Sequence, residues 1–197
     1  MPPRVFLLSP ANCGGERAGL LLAPGAQFDL ARRLRTAPGA TLGEVFSFCS
    51  SLYFRGKLTY AERFGVPLVI TPNAGLRPAD DRVTLESLRR AARVDIKARN
   101  PRYRRPLLAS AQTVAEHLGP DGAVTLLGSI ASDKYVEALL SVFGERLTFP
   151  AEFVGRGDMS RGGLLLRCVR SGQELTYVPV AGAVRHGPRP PRLTPVR

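Results

Sequence analysis

The sequence predicts an α/β fold, a three-layer sandwich with a central, largely parallel sheet of about four to five strands flanked by helices. Short continuous apolar runs, typical of strands buried on both faces, alternate with longer stretches of helical spacing. Such alternation favours a parallel sheet covered by helices. The chain has 197 residues and is 44% hydrophobic, which suits one domain with a good core. We place this single domain at residues 1–183 and a flexible, Pro/Arg-rich basic tail at residues 184–197.

Residues 123–168 contain the clearest of these alternations. A continuous apolar run at 123–127 predicts a buried strand, and residues 146–149 predict the next one. Between them, Ser132 and Asp133 offer cap chemistry for an amphipathic helix. The segment therefore has the size and order of a βαβ unit.

A glycine-rich basic loop at residues 153–163 follows this unit and leads into another helix. Asp158 or Ser160 is the expected cap of that helix. Two arginines, Arg156 and Arg161, a capping oxygen and the free N–H groups of a helix start are what an anionic ligand requires. The alternative is an ordinary cap with solvated arginines and with glycines that let helices pack closely.

The rest of the chain continues the alternation of strands and helices. Strands are predicted at residues 5–8, 66–71 and 175–180, with Pro67 expected at the first residue of its strand or at a sheet edge. Helices are predicted at residues 28–35, at 41–52 with a Thr41–Glu44 capping box, from Leu58 to Gly65, from Thr84 onward and from near Pro106.

Four loops follow the predicted buried strands, at residues 9–17, 72–76, 128–135 and 150–161. In parallel α/β sheets, ligands bind beyond the carboxyl ends of the strands, so these loops should converge on one rim. Together with the aromatic and basic segment 53–57, they provide the candidate ligand- or phosphate-binding residues Cys13, Gly14, Gly15, Arg17, Tyr53, Phe54, Arg55, Lys57, Asn73, Gly75, Gly128, Ser129, Lys134, Arg156, Asp158, Ser160 and Arg161.

Three of these candidates have a competing structural interpretation. Tyr53 and Phe54 can stack a base beside Arg55 and Lys57, or they can equally be core aromatics. Cys13 would be an activated thiolate only at a helix start. The chain has two histidines, neither of them near this loop in sequence, so a small residue in a tight loop is the favoured interpretation.

The net charge of +12 is concentrated in two segments. Residues 89–105 contain eight basic residues and one acid, a balance of +7, and the end of the chain from Arg185 adds four arginines and no acid. A preference for Arg over Lys does not explain why basic residues outnumber acidic residues in these segments. A basic stripe is the electrostatic footprint of a nucleic-acid-binding protein. The candidate contacts to a nucleic-acid backbone are Arg89, Arg93 and Lys97, which recur every four residues, and Arg102, Arg104 and Arg105.

Other classes of protein are disfavoured. No apolar segment reaches the ~18 residues of a spanning helix, so no membrane partner is expected, and the first residues lack the layout of a signal peptide. The three cysteines are far apart and odd in number, which supports neither a zinc site nor a disulfide framework. We therefore expect a cytoplasmic protein with no metal and no cofactor.

Several short motifs occur along the chain in a fixed order. They lie at 51–57 (Ser-Leu-Tyr-Phe-Arg-Gly-Lys), 60–62 (Tyr-Ala-Glu), 73–76 (Asn-Ala-Gly-Leu), 126–128 (Leu-Leu-Gly), 135–136 (Tyr-Val) and 157–166. In this order they resemble the motifs of small YaaA-like proteins. The resemblance spans roughly residues 5–168 and implies a fold near that of the uracil-DNA glycosylases and a role linked to nucleic acid.

The same resemblance implies a catalytic role for Asn12. Glycosylases of this kind place an Asp or Asn in the loop after the first strand, where Asn12 lies, and often a His in a later loop. This chain departs from that pattern because no His stands near Asn73 or Ser129. The implied mechanism is a flipped-base pocket in which Asn12 orients a water and Tyr53 or Phe54 stacks the base.

Three functions from different classes follow. The first is a nucleic-acid-binding protein, for DNA or RNA, acting in repair, stress response or nucleic-acid modification. The second is an enzyme on a small nucleotide or sugar phosphate that depends on Arg156 and Arg161 but not on the basic residues of 89–105. The third is an interaction module whose tail, residues 184–197, binds an acidic partner.

Overall fold

The computed structural model describes residues 4–131 and 133–193. In that part of the chain the polypeptide forms eight strands and seven α-helices. The strands are β1 (Val5–Leu8), β2 (Ala40–Thr41), β3 (Val66–Thr71), β4 (Gly75–Pro78), β5 (Arg82–Val83), β6 (Val124–Leu127), β7 (Leu147–Pro150) and β8 (Tyr177–Pro179). The helices are α1 (Glu16–Leu22), α2 (Asp29–Leu34), α3 (Leu42–Phe64), α4 (Leu85–Ala92), α5 (Pro101–Leu118), α6 (Asp133–Phe143) and α7 (Asp158–Ser171).

The main sheet has six strands in the order β4-β3-β1-β6-β7-β8. Its four central strands are parallel, and β4 and β8 pair antiparallel at the two edges. The predicted α/β sandwich with a largely parallel sheet is confirmed, although the sheet is wider than the four to five strands expected. The extra edge arises because the segment from Gly75, predicted as a turn, continues into β4. A separate two-stranded sheet joins β2 and β5.

Strand β1 lies at the centre of the sheet and sets its register. Val5 pairs with Val66 of β3 on one side and with Val124 of β6 on the other. All four residues of β1 and all four of β6 are buried. This is the environment that continuous apolar runs predict, because strands with helices on both faces have no solvent side.

Helix α3 joins the two helical segments predicted at residues 41–52 and 58–65. Its amino end has the expected capping box, in which the Glu44 N–H donates to Thr41 Oγ1 and the Glu44 carboxylate accepts from the Thr41 N–H. The helix is kinked at Ser51, whose φ of 50° and ψ of −130° are not helical.

The second half of α3 packs closely against α7 through two glycines. A Cβ atom on Gly56 would lie 2.7 Å from the Gly162 carbonyl oxygen, and a Cβ on Gly162 would lie 2.9 Å from the Leu52 carbonyl oxygen. This supports the structural interpretation of the glycines in the 153–163 loop region, namely that they permit close helix packing. The contact fixes α7 beside the side chains of Tyr53 and Lys57.

Two predictions that involved proline were wrong. Pro67 is the second residue of an interior strand, not the first and not at an edge. It is accommodated because the pairing of β3 with β4 begins only at Leu68. Helix α5 begins at Pro101 rather than near Pro106, since Asn100 caps it by accepting the Arg102 N–H and proline fits the first helical turn.

Two predictions about helix ends were also wrong. Gly157, not Asp158 or Ser160, occupies the cap of α7, and no side chain bonds the free N–H groups there. Helix α4 ends at Ala92, so Arg93 is its carboxyl-terminal cap and Lys97 lies in the irregular segment that follows. Arg89, Arg93 and Lys97 therefore do not form a single helical ridge.

The described part of the tail, residues 184–193, contains no helix or strand. Arg185 pairs with Asp133 of α6, and the backbone of Pro188 runs close to Gly155. These contacts place the first part of the tail against the loop that precedes α7, while its flexibility stays a prediction. Among the described residues, no helix is long and apolar enough to cross a membrane.

Candidate functional site

A cavity of about 790 Å³ lies at the rim where the parallel strands of the sheet end. Each of the four predicted loops contributes to its lining, for example through Asn12, Pro72, Ser129 and Asp158. The predicted convergence of the rim loops is therefore confirmed by the geometry. Helix α3 closes one side of the cavity through Ser50, Tyr53 and Lys57, and the segment 91–96 forms another wall.

Lys57 is the most unusual residue of the cavity. Its side chain is 1% exposed, whereas the sequence suggested a lysine free to neutralise a phosphate at the surface. Its Nζ donates to the carbonyl oxygen of Ser9 at 2.6 Å and to the Ser9 hydroxyl at 2.7 Å. The rings of Tyr53 and Phe54 flank it, with centroids 4.4 and 4.9 Å away. Within the described residues, no carboxylate forms an ion pair with it.

Burial lowers the pKa of Lys57 from 10.5 to about 7. The Asp158 carboxylate opposes this change and the Arg161 guanidinium adds to it, both from α7. A buried ammonium without a carboxylate partner loses its hydration and gains little in return. The amine form is therefore accessible near neutral pH, a property associated with reactive or ligand-binding lysines.

Two tyrosines add phenol groups to the cavity. The Tyr53 hydroxyl is buried and has no hydrogen-bond partner in the described structure, and burial raises its pKa. The Tyr135 hydroxyl donates to the Ser129 carbonyl at 2.9 Å, and burial raises the pKa of this phenol to about 12. Both side chains are hydrogen-bond donors at neutral pH, and that of Tyr53 is unused.

The loop after β1 places Asn12 at the mouth of the cavity. The Asn12 backbone N–H donates to the Ser50 hydroxyl at 3.3 Å, and its side-chain Oδ1 accepts the Gly14 N–H at 3.2 Å. Gly15 caps α1, and a Cβ atom there would lie 2.8 Å from Asn12 Nδ2. The side chain of Asn12 is therefore exposed but held by its own loop.

Cys13 is an ordinary buried thiol rather than an activated one. It is 3% exposed, and burial, together with the nearby Cys49, raises its pKa to about 12. A thiol with so high a pKa is not ionised at neutral pH and is a poor nucleophile. This agrees with the interpretation of Cys13 as a small residue in a tight loop.

The wall formed by residues 91–96 belongs to the most basic segment of the chain. Arg93 is exposed and lines the cavity directly. Of the other predicted backbone contacts, Lys97 pairs with Asp95 at 2.6 Å, and Arg104 lies 3.7 Å from Glu137. Within the described part of the chain, the arginines of this segment that form no ion pair are Arg89, Arg93, Arg99, Arg102 and Arg105.

The predicted anion site at the start of α7 is occupied by internal contacts. Arg156 donates to the Glu152 carbonyl and to the Ser160 hydroxyl. Arg161 is buried, donates to the Phe153 carbonyl and pairs with Asp158 at 3.2 Å. These side chains fasten the loop to the helix. Of the residues predicted there, only Asp158 lines the cavity.

The other predicted site residues are distributed as follows. Those that line the cavity are Asn12, Cys13, Gly14, Tyr53, Lys57, Ser129 and Lys134. Those that lie outside it are Gly15, Arg17, Phe54, Arg55, Asn73, Gly75 and Gly128. Arg17 donates to the Phe48 carbonyl, Phe54 packs on Phe46, and Arg55 is exposed. Asn73 lines a separate cavity of about 300 Å³, while Gly75 approaches Pro106 and Gly128 approaches Tyr135.

Three residues that line the cavity, Ser9, Ser50 and Tyr135, are not among the candidates named from the sequence. Ser9 and Tyr135 lie within the predicted rim loops 9–17 and 128–135, but neither hydroxyl was singled out. No sequence signal marks the kink at Ser51, next to Ser50. The described residues contain no group of three or more His, Cys, Asp or Glu side chains suited to hold a metal ion.

Comparison of the chain with protein-family models, with curated proteins and with solved structures gave no significant match.

Proposed function

We propose that this protein binds nucleic acid along residues 89–105 and accepts one nucleotide of the bound strand in the rim cavity. The observation that carries the proposal is that the wall of the cavity and the most basic segment of the chain share residues 91–96. A phosphate backbone held by Arg89, Arg93 and Arg102 would run past the mouth of the cavity. Phosphate contacts of this kind position a strand without reading its sequence.

The cavity is suited in size and chemistry to a single nucleotide. Its volume of about 790 Å³ lies within the range of small-molecule sites. An unstacked base exposes a flat apolar face and several hydrogen-bonding groups. The cavity offers aromatic surface at Tyr53 and Tyr135 and donors at Lys57 and Asn12. In this proposal, Asn12 at the mouth contacts the nucleotide and orients a water beside it.

A second candidate is a free nucleotide or sugar phosphate in the same cavity. It is favoured by the Lys57 ammonium, which forms no ion pair with a carboxylate among the described residues. A bound phosphate would give this ammonium an anionic partner. The sequence predicted that this candidate depends on Arg156 and Arg161. The structure does not favour that dependence, because both arginines are engaged in internal contacts. The two candidates differ in whether the exposed arginines of residues 89–105 matter.

Binding of the full chain to single-stranded DNA, duplex DNA and structured RNA across a salt series tests the proposal. The triple substitution Arg89→Gln, Arg93→Gln and Arg102→Gln should weaken binding and flatten the slope of log affinity against log salt by about 0.9 per lost duplex contact. A matched triple elsewhere, Arg32→Gln, Arg63→Gln and Arg170→Gln, removes the same charge.

Three outcomes would contradict the proposal. Equal losses in both would show a general effect of net charge and contradict the assigned surface. Binding that vanishes only on substitution of Arg185, Arg189, Arg192 and Arg197 would assign the whole effect to the tail. No binding to any nucleic acid at low salt would refute the proposal and favour the free phosphorylated ligand.

A further inference from the structure

The hydrogen bonds of Lys57 leave one side of its nitrogen unused. A neutral lysine amine has two N–H groups and one lone pair. Both acceptors near Nζ belong to Ser9, its carbonyl oxygen at 2.6 Å and its hydroxyl at 2.7 Å. With the two N–H groups directed at Ser9, the lone pair is left for the cavity that Lys57 lines. A nitrogen lone pair without a partner beside a cavity is available to act as a nucleophile.

The surroundings of Lys57 favour the amine form. The rings of Tyr53 and Phe54 flank the nitrogen, and no described carboxylate forms an ion pair with it. The ionisable groups that face it are Asp158 and Arg161 from α7 and the Tyr53 phenol from α3 itself. The charged pair acts in opposite directions, so burial dominates and the pKa falls to about 7. Desolvation in an apolar site is a known way to activate a lysine amine.

We propose that Lys57 is a nucleophile that forms an imine with the aldehyde carbon of a phosphorylated sugar bound in the rim cavity. The nitrogen lone pair forms a bond to the aldehyde carbon, the π bond of the carbonyl breaks toward its oxygen, and one amine proton passes to that oxygen to give a carbinolamine. Loss of that oxygen as water leaves the C=N bond of the imine. The step is a condensation without oxidation or reduction, in which the second amine proton leaves with the oxygen as water. The Tyr53 hydroxyl, which has no described partner, can donate a hydrogen bond to the departing oxygen.

The phosphate of such a sugar has a place at the mouth of the cavity. Exposed cations, Arg93 and Lys134, line the cavity at its mouth, while the floor carries Lys57. The aldehyde can belong to a base-free deoxyribose in DNA or to a free sugar phosphate. Only the first of these sources rests on the proposed nucleic-acid function.

The composition of the chain makes the test simple, because it contains three lysines, at positions 57, 97 and 134. The full-length protein is incubated with cyanoborohydride, which reduces an imine to a stable amine. One arm contains an oligodeoxynucleotide with one abasic site, the other glyceraldehyde 3-phosphate. Digestion and mass mapping then locate the adduct. We expect it on Lys57, with a labelling rate that rises as the pH increases through about 7, since the amine is the reactive form.

Two variants and the position of the adduct test whether Lys57 is the nucleophile and which aldehyde it takes. Lys57→Arg retains a basic side chain but cannot form an imine, so adduct formation should be lost, whereas Arg63→Gln, which changes an exposed residue outside the cavity and outside residues 89–105, should label as the wild type does. Adducts confined to Lys97, Lys134 or the α-amino group, or no adduct in either arm, would overturn the proposal. Labelling only by glyceraldehyde 3-phosphate would uphold Lys57 as the nucleophile and contradict the nucleic-acid source. Oligonucleotide binding without any adduct would refute the nucleophile and leave the proposed function standing.

Discussion

Lys57 of α3 and Ser9 at the end of β1 lie 48 positions apart in sequence, and both hydrogen bonds from the lysine nitrogen go to that one serine. The contact joins the second half of α3 to the central strand of the sheet. It also holds an ionisable nitrogen at the floor of the rim cavity. The stability of the fold and the chemistry proposed for Lys57 therefore depend on the same contact.

The free energy of unfolding should depend on pH through the titration of Lys57. Its pKa is lowered in the folded state from 10.5 to about 7, so between these values the unfolded chain binds more protons. Stability should therefore rise with pH in this window and be lost as the pH falls toward 7. One pKa unit corresponds to about 1.4 kcal/mol, so we expect a gain of about 2 kcal/mol between pH 7 and 9.

Urea unfolding at a series of pH values measures this gain, with Lys57→Met as the comparison. Subtracting the curve of the variant removes the contribution of the tyrosines and cysteines, which titrate in both proteins. The difference in unfolding free energy between the two proteins should change in favour of the wild type as the pH rises. A difference that stays constant from pH 7 to 9 would show that Lys57 is charged in the folded protein throughout this range.

Two adjacent glycines of α7 should respond differently to alanine. At Gly162 a Cβ would lie 2.9 Å from the backbone of Leu52 and Tyr53, whereas at Gly163 it would lie 3.5 Å from Leu193 Cδ1. Gly162→Ala should therefore destabilise the protein by about 1–3 kcal/mol. Gly163→Ala should be neutral or stabilising by up to about 1 kcal/mol, because alanine favours the helix. Thermal unfolding compares the two variants, and equal losses would contradict the α3–α7 packing described here.

The capping box of α3 should contribute to stability in acid. Hydrogen bonds from the Arg33 side chain and the Thr41 N–H lower the pKa of Glu44 from 4.5 to about 2. A lowered carboxyl pKa gives stability that is present above pH 4.5 and is lost as the pH falls toward 2. Glu44→Gln should remove this part of the acid dependence, and Thr41→Ala should cost about 1 kcal/mol at neutral pH. Glu44→Gln with an unchanged acid profile would show that Glu44 is not coupled to folding.

Much of the fold follows from local sequence patterns. The runs at β1, β3 and β6 predict buried strands because apolar residues dominate both faces of each run and none of them contains a charged residue. The Thr41–Glu44 capping box needs only residues three apart, and it is present as predicted. The convergence of the rim loops follows in turn from the parallel order of these strands.

The features that were missed depend on contacts distant in sequence. Lys57 is buried because Ser9 accepts its hydrogen bonds, and nothing in the residues around position 57 indicates that partner. Arg156 and Arg161 look free in sequence, but carbonyls of the preceding turn occupy them. The pair Asn100-Pro101 is ambiguous, since the same residues end one helix or cap the next.

The most direct test of the proposed site is photocross-linking of the full chain to an oligonucleotide in which one base is 5-iodouracil. If a nucleotide enters the rim cavity, the modified base should cross-link to peptides that contain Tyr53 or Tyr135, and Lys57→Met should reduce the yield. Cross-links confined to residues 184–197, or a complex with no cross-link to the cavity, would contradict the account.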